Sequence, residues 1–85
     1  MRHARPDDLD RIEGLLTELR TVSEIYERGR GSFSRGSRAF LHFHADDGGI
    51  YADVRLAEEF ERVRVTTRRE QASFLTLVRR TVRAR

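Results

Sequence analysis

Alternating apolar and polar residues mark a β-hairpin in the middle of the chain. Residues 40–56 read FLHFHADDGGIYADVRL, two alternating runs around Asp47-Gly48. Asp-Gly is one of the strongest short signals for a two-residue type I′ turn, which fixes the register of the flanking strands. That register predicts the pairs Leu41–Val54, Phe43–Ala52 and Ala45–Ile50 on one face, and Phe40–Arg55, His42–Asp53 and His44–Tyr51 on the other. The first face is therefore a core face, and the second carries the polar and aromatic side chains.

Apolar residues at helical spacing predict a helix near each end of the chain. The first helix is expected over residues 6–21, beginning at Pro6, and residues 1–5 before it are expected to form a loose tail. Its apolar stripe consists of Leu9, Ile12, Leu15, Leu16 and Leu19. The second helix opens with Thr67 and Glu70 at capping-box spacing and is expected to run to about residue 84.

A further strand follows the central hairpin. Residues 61–66 read ERVRVT and alternate cleanly after a turn centred on Glu58-Glu59. This turn places Arg64 opposite Asp53, so a cross-strand ion pair between the two is expected.

The residues before the hairpin are harder to interpret. A short strand is predicted within residues 21–28. Residues 28–38 are rich in Gly, Ser and Arg, and they form either a flexible loop or a tight hairpin at Arg35-Gly36 with Phe33 on one arm.

These elements together predict one α+β domain over residues 1–85. The expected architecture is a two-layer sandwich in which an antiparallel sheet of three to five strands carries both helices on one face. The other sheet face stays open and is the predicted binding surface. Its members are Phe40, His42, His44, Tyr51, Asp53, Arg55, Arg62 and Arg64.

Composition excludes several classes of function. The chain has 85 residues, of which 38% are apolar and 36% charged, as in a globular domain. It has no cysteine, which excludes disulfides, thiolate zinc sites and cysteine nucleophiles. No apolar run approaches the roughly 20 residues that span a bilayer, and no signal-peptide pattern opens the chain. We therefore expect a cytoplasmic protein without a membrane partner.

Arginine supplies the positive charge of the Gly- and Ser-rich segment 28–38. Arg28, Arg30, Arg35 and Arg38 lie in this segment, which contains no acidic residue. Glycine lets a backbone approach a phosphate closely, and the arginines would neutralise it, so these four residues are a candidate anion-binding group. The segment matches neither a P-loop nor a dinucleotide-binding pattern.

The order of the elements resembles MmcQ/YjbR-type domains. The resemblance rests on an N-terminal helix, a meander of strands in which residues 36–40 (GSRAF) lead into the central strand, and a closing helix. It implies DNA binding and no established catalytic residue. Residues 36–56 also resemble small uncharacterised bacterial proteins, and this second resemblance implies no function.

Three functions are compatible with the open face. The favoured interpretation is a non-enzymatic module that binds a protein partner or a second copy of the chain through this face. In the first alternative, its aromatic and arginine side chains bind nucleic acid or another polyanion. In the second, His42, His44 and Asp53 form a metal site or the centre of an acid–base enzyme. The competing Arg64 and the lack of a fourth ligand favour ordinary cross-strand contacts, so no catalytic residue, metal or cofactor is expected.

Overall fold

A computed structural model describes residues 1–84 of the chain. The elements are β1 (Arg2–His3), α1 (Pro6–Arg11), α2 (Glu13–Leu19), β2 (Tyr26–Gly29), β3 (Ser32–Arg35), β4 (Arg38–Asp46), β5 (Gly49–Arg55), β6 (Phe60–Arg64) and α3 (Arg68–Arg83). Within these residues the strands form one antiparallel sheet in the order β2-β3-β4-β5-β6, and β1 pairs with β4. The predicted α+β fold with an open antiparallel sheet is confirmed.

The central hairpin has the predicted register. Leu41 pairs with Val54 and His42 with Asp53, and the other predicted pairs from Phe43 to Ile50 follow in step. Asp47 and Gly48 have φ angles of 44° and 78°. Two positive φ values are what a type I′ turn requires, so the local turn signal set this register.

Helices α2 and α3 pack on the same face of the sheet. Their buried side chains, such as Leu16 and Phe74, share one apolar cluster with Leu41, Ile50 and Val54 from the sheet. Each of these side chains is at most 1% exposed. Burying one of them contributes about 1.5–3 kcal/mol, which commits this face to the core and leaves the opposite face open.

The first predicted helix is divided into two. At Ile12 the backbone leaves helical geometry (φ −117°, ψ 20°), and its amide donates to the carbonyl of Leu9 three residues back. Ile12 is 1% exposed, so the tightened turn lies in the core. Gly14 follows the break and weakens the helix by about 1 kcal/mol relative to alanine. The helical segment also ends at Leu19 and not at residue 21.

The N-terminal residues are not a loose tail, and that prediction is wrong. Arg2 and His3 pair with Ala45 and His44 of β4, and the Ala4 amide donates to the carbonyl of Phe43 at 3.0 Å. These backbone hydrogen bonds attach β1 to the central strand.

Residues 21–38 contain two short strands. The first, β2, begins only at Tyr26, because Val22 and Ile25 turn their side chains into the core before it. The second, β3, pairs with β4 across a turn at Gly36, whose φ is 61°. Phe33 is 3% exposed. The hairpin alternative for residues 28–38 is therefore correct, and the flexible loop is not.

Phe40 lies in the core, which corrects its predicted place on the open face. Phe33 pairs with Leu41 and Ser34 with Ala39, so Phe40 is the extra residue of a β-bulge in β4. The bulge interrupts the two-residue alternation, and the Phe40 side chain is 2% exposed among core residues.

The register of β6 also differs from the prediction. Arg62, and not Arg64, lies opposite Asp53, while Arg64 lies opposite Tyr51. The connection is therefore centred one residue earlier than expected, and Arg55 donates to the carbonyl of Glu58 at 2.9 Å within it. A shift of two residues preserves the face, so both arginines remain on the open side of the sheet.

Candidate functional site

Strand pairing arranges the open face in two rows. The first row runs across four strands as His3, His44, Tyr51 and Arg64. The second consists of His42, Asp53 and Arg62. Residues on one face of neighbouring strands have Cβ atoms about 5 Å apart, so three imidazoles and one carboxylate meet at the centre of the sheet.

His42, His44 and Asp53 converge on a single point. The Asp53 Oδ2 atom lies 2.9 Å from His44 Nδ1 and 3.4 Å from His42 Nε2. One ligand atom from each residue lies within 4.8 Å of the other two. The His44 and Asp53 side chains are 13% and 11% exposed, whereas that of His42 is 31% exposed. The cluster of His42, His44 and Asp53 is therefore mostly buried on the β5 side and exposed to solvent at His42.

The Nδ1 atom of His44 is buried and has no hydrogen-bond partner among the described residues. It lies 2.9 Å from Asp53 Oδ2, a distance that would suit a hydrogen bond, but the two atoms do not form one. Two ligands of one metal ion also lie close together without a hydrogen bond between them, because the lone pairs of both point to the ion and not at each other. An unpaired buried polar atom costs about 1–3 kcal/mol, so its presence requires an explanation.

Asp53 is also held by an arginine. Arg62 donates from Nε to Oδ1 at 2.7 Å and from Nη2 to Oδ2 at 2.8 Å, which is a bidentate pair. These hydrogen bonds hold the pKa of the Asp53 carboxyl below its usual range. Burial lowers the pKa of His44. An ionised carboxylate and a neutral imidazole are the protonation states in which both groups coordinate metal.

His3 is a further member of the cluster, which the sequence pattern does not predict. Its ring centroid lies 4.6 Å from that of His44 and 6.3 Å from that of His42. The strand that carries it is only two residues long. No periodic signal can identify so short a strand, and only its pairing with β4 brings this imidazole to the site.

The other predicted members of the binding surface make contacts within the chain. Arg64 donates to both carboxylate oxygens of Glu70, at 2.9 and 2.7 Å. Arg55 donates to the carbonyl of Ala39 at 3.0 Å, and its guanidinium lies 4.4 Å from the centre of the Phe60 ring. Both guanidinium groups therefore use part of their binding capacity within the chain, which makes phosphate binding by this face less favourable.

The four candidate anion-binding arginines lie in different surroundings. Arg30 contacts the carboxylates of Asp10 and Glu13 at 2.8 and 2.9 Å, and Arg35 donates to the carbonyl of Val82 at 3.3 Å. Arg38 is exposed at the start of β4. Arg28 is the member that borders the open face, where it donates to the Ser34 hydroxyl at 2.8 Å.

No protein-family model, curated protein or solved structure matches the chain. The resemblance to MmcQ/YjbR-type domains therefore stays a prediction. Within residues 1–84 no helix has both the length and the apolar character needed to cross a membrane.

Proposed function

We propose that the chain is a metal-binding domain in which His42 Nε2, His44 Nδ1 and the Asp53 carboxylate hold one transition-metal ion of the zinc class. The observation that carries the proposal is the buried His44 Nδ1 atom, which lies beside the carboxylate without a hydrogen bond to it. A metal ion between the two groups would use this lone pair and would offset the cost of leaving it unpaired.

The spacing of the ligand atoms suits one ion. Zinc lies about 2.0–2.2 Å from imidazole nitrogen and carboxylate oxygen, so tetrahedral ligands are about 3.4 Å apart. The separations from Asp53 Oδ2 are 2.9 Å to His44 and 3.4 Å to His42, so small side-chain rotations suffice. Two imidazoles and one carboxylate favour zinc, iron, cobalt or nickel over magnesium and calcium, which prefer oxygen ligands.

Arg62 is compatible with a metal ion at this position. A carboxylate has about four lone-pair sites, so Asp53 can accept both bonds from the guanidinium and still bind the ion. Hydrogen bonds to a ligating carboxylate orient it, as outer-shell partners commonly do in metal sites. The guanidinium charge lies close to the ion and is expected to lower its affinity.

Three protein ligands leave a fourth position available. Structural zinc sites are closed by four protein ligands, whereas sites that exchange water or substrate use three. The His42 side of the cluster is the exposed side. The open position is therefore expected to face solvent, next to His3.

The test is a cobalt titration followed by visible absorption, with zinc affinity measured by calorimetric competition. His42→Ala, His44→Ala and Asp53→Asn are each expected to weaken binding at least about 100-fold, because loss of a ligand costs more than the 10–100-fold typical of outer-shell changes. Tyr51→Phe is the matched control on the same face and is expected to bind like the wild type. Equal zinc affinity in all four variants, or no binding to the wild type, would refute the proposal.

A second candidate function is self-association through the same open face. It is supported by Phe60, which is 37% exposed although its ring lies 5.1 Å from that of His42 and is overlain by Arg55. Aromatic residues and arginine are enriched at protein interfaces relative to the rest of the surface. Light scattering is expected to give twice the mass of one chain for the wild type and a monomer for Phe60→Asp. A monomeric wild type at high concentration would count against this function.

A further inference from the structure

A gap interrupts the pairing along one edge of β4. On this edge β3 pairs with β4 as far as Leu41, and β1 pairs with it from His44 onward. His42 lies between the two partners. The gap opens into a cleft of about 440 Å³ on the side of β4 away from Asp53. This volume is within the range of small-molecule sites, which is about 300–1,000 Å³.

Hydrogen-bond donors dominate the polar lining of this cleft. Its polar lining residues are Arg28, Ser32, Ser34, Ser37, His3 and His42, and each of their side chains can donate a hydrogen bond. No acidic side chain contributes to its lining within the described part of the chain.

The contacts of Arg28 hold its guanidinium in place and leave donors available. Its Nε donates to Ser34 Oγ at 2.8 Å, and Nη2 makes a long contact of 3.4 Å to the carbonyl of Gly36. Ser34 is 6% exposed and accepts this bond, so the contact with Arg28 does not use its hydroxyl hydrogen. A guanidinium oriented by a buried hydroxyl loses less side-chain entropy when it binds a ligand.

We propose that this cleft binds the phosphate group of a small phosphorylated molecule, held by Arg28 and the three serine hydroxyls. Phosphate oxygens accept hydrogen bonds, and a guanidinium fork with hydroxyl donors matches them in charge and geometry. The volume exceeds what inorganic phosphate fills, so an organic body of the ligand extends towards His42. The proposal goes beyond metal binding and does not depend on it, since none of these donors is a proposed metal ligand.

Phenyl phosphate is the probe, titrated calorimetrically into protein freed of metal with a chelator. Arg28→Gln is expected to weaken binding about 10-fold or more, the effect of losing charge-assisted hydrogen bonds. Arg28→Lys is expected to fall between Arg28→Gln and the wild type, because it keeps the charge and loses the fork. Arg38→Gln removes the same charge outside the cleft and is the matched control, expected to change binding less than about twofold.

Several outcomes would overturn the proposal. Equal weakening by Arg28→Gln and Arg38→Gln would show attraction by net charge alone, and the absence of saturable binding at millimolar phenyl phosphate would exclude the site. Benzoate binding as tightly as phenyl phosphate would exclude phosphate selectivity. Arg28→Gln is also expected to keep the cobalt spectrum and the melting temperature of the wild type. Failure of this proposal is therefore distinguishable from failure of the metal proposal and from misfolding.

Discussion

Replacing Phe40 tests where the binding face ends, because the bulge in β4 moves this side chain from the open face into the core. Phe40 is 2% exposed. Truncation of a buried phenylalanine to alanine costs about 3–5 kcal/mol, whereas a domain of this length is stabilised by roughly 4–13 kcal/mol in total. Phe40→Ala is therefore expected to lose a large part of this stability, and all of it where the wild type lies at the low end of the range. Phe40→Leu keeps most of the apolar volume and is expected to cost about 1–1.5 kcal/mol.

The assay is urea unfolding followed by circular dichroism, with Phe60→Ala as the control. Phe60 is 37% exposed, and its truncation is expected to cost no more than about 1 kcal/mol, including the lost contact with Arg55. If Phe40→Ala and Phe60→Ala destabilise the protein equally, Phe40 lies on the open face as simple alternation predicts. That result would contradict the β-bulge at Phe40 in β4.

Three further predictions concern pH, metal and nucleic acid. Arg30 and Arg20 lower the pKa of Glu13 from 4.5 to about 2, so their stabilisation is present above pH 4.5 and is lost as the pH falls towards 2. Glu13→Gln is therefore expected to lose less unfolding free energy than the wild type between pH 5 and pH 2.5, and equal losses would contradict this pairing. Zinc at about 100 times its dissociation constant is expected to raise the unfolding free energy by about 2.7 kcal/mol, reversibly with chelator, and an unchanged melting temperature would contradict the metal site. If the face binds nucleic acid, affinity falls steeply with salt and with Arg62→Ala or Arg64→Ala, and salt-insensitive or undetectable binding to single- and double-stranded probes removes that function.

The fold is most predictable from the sequence where the signal is local. The Asp47-Gly48 turn sets the register of β4 and β5, and the pattern of alternation assigns nearly every hairpin residue to its face. It fails at Phe40, because a bulge adds one residue that no turn signal announces. It also places Arg62 incorrectly, because the connection from β5 to β6 contains no strong turn signal and its length does not define the register. His3 depends entirely on tertiary pairing.

The candidate site is also only partly predictable from the sequence, because its geometry depends on more than local signals. The sequence shows that His42, His44 and Asp53 share one face, and a turn centred on Glu58-Glu59 predicts that Arg64 pairs with the Asp53 carboxylate. An arginine does pair with this carboxylate, but it is Arg62, and His44 Nδ1 keeps no hydrogen-bond partner within residues 1–84. The absence of a hydrogen bond at one ring nitrogen separates a candidate metal ligand from an ordinary cross-strand contact. Whether this bond forms depends on side-chain rotation and neighbouring strands, which periodicity does not specify.

A crystal structure of the zinc-loaded protein, with anomalous scattering measured at the zinc edge, tests the central claim most directly. The proposal predicts one strong peak on the open sheet face, about 2.0–2.2 Å from His42 Nε2, His44 Nδ1 and an Asp53 oxygen. A structure with no peak at this position, in which His44 Nδ1 donates a direct hydrogen bond to Asp53, would contradict it.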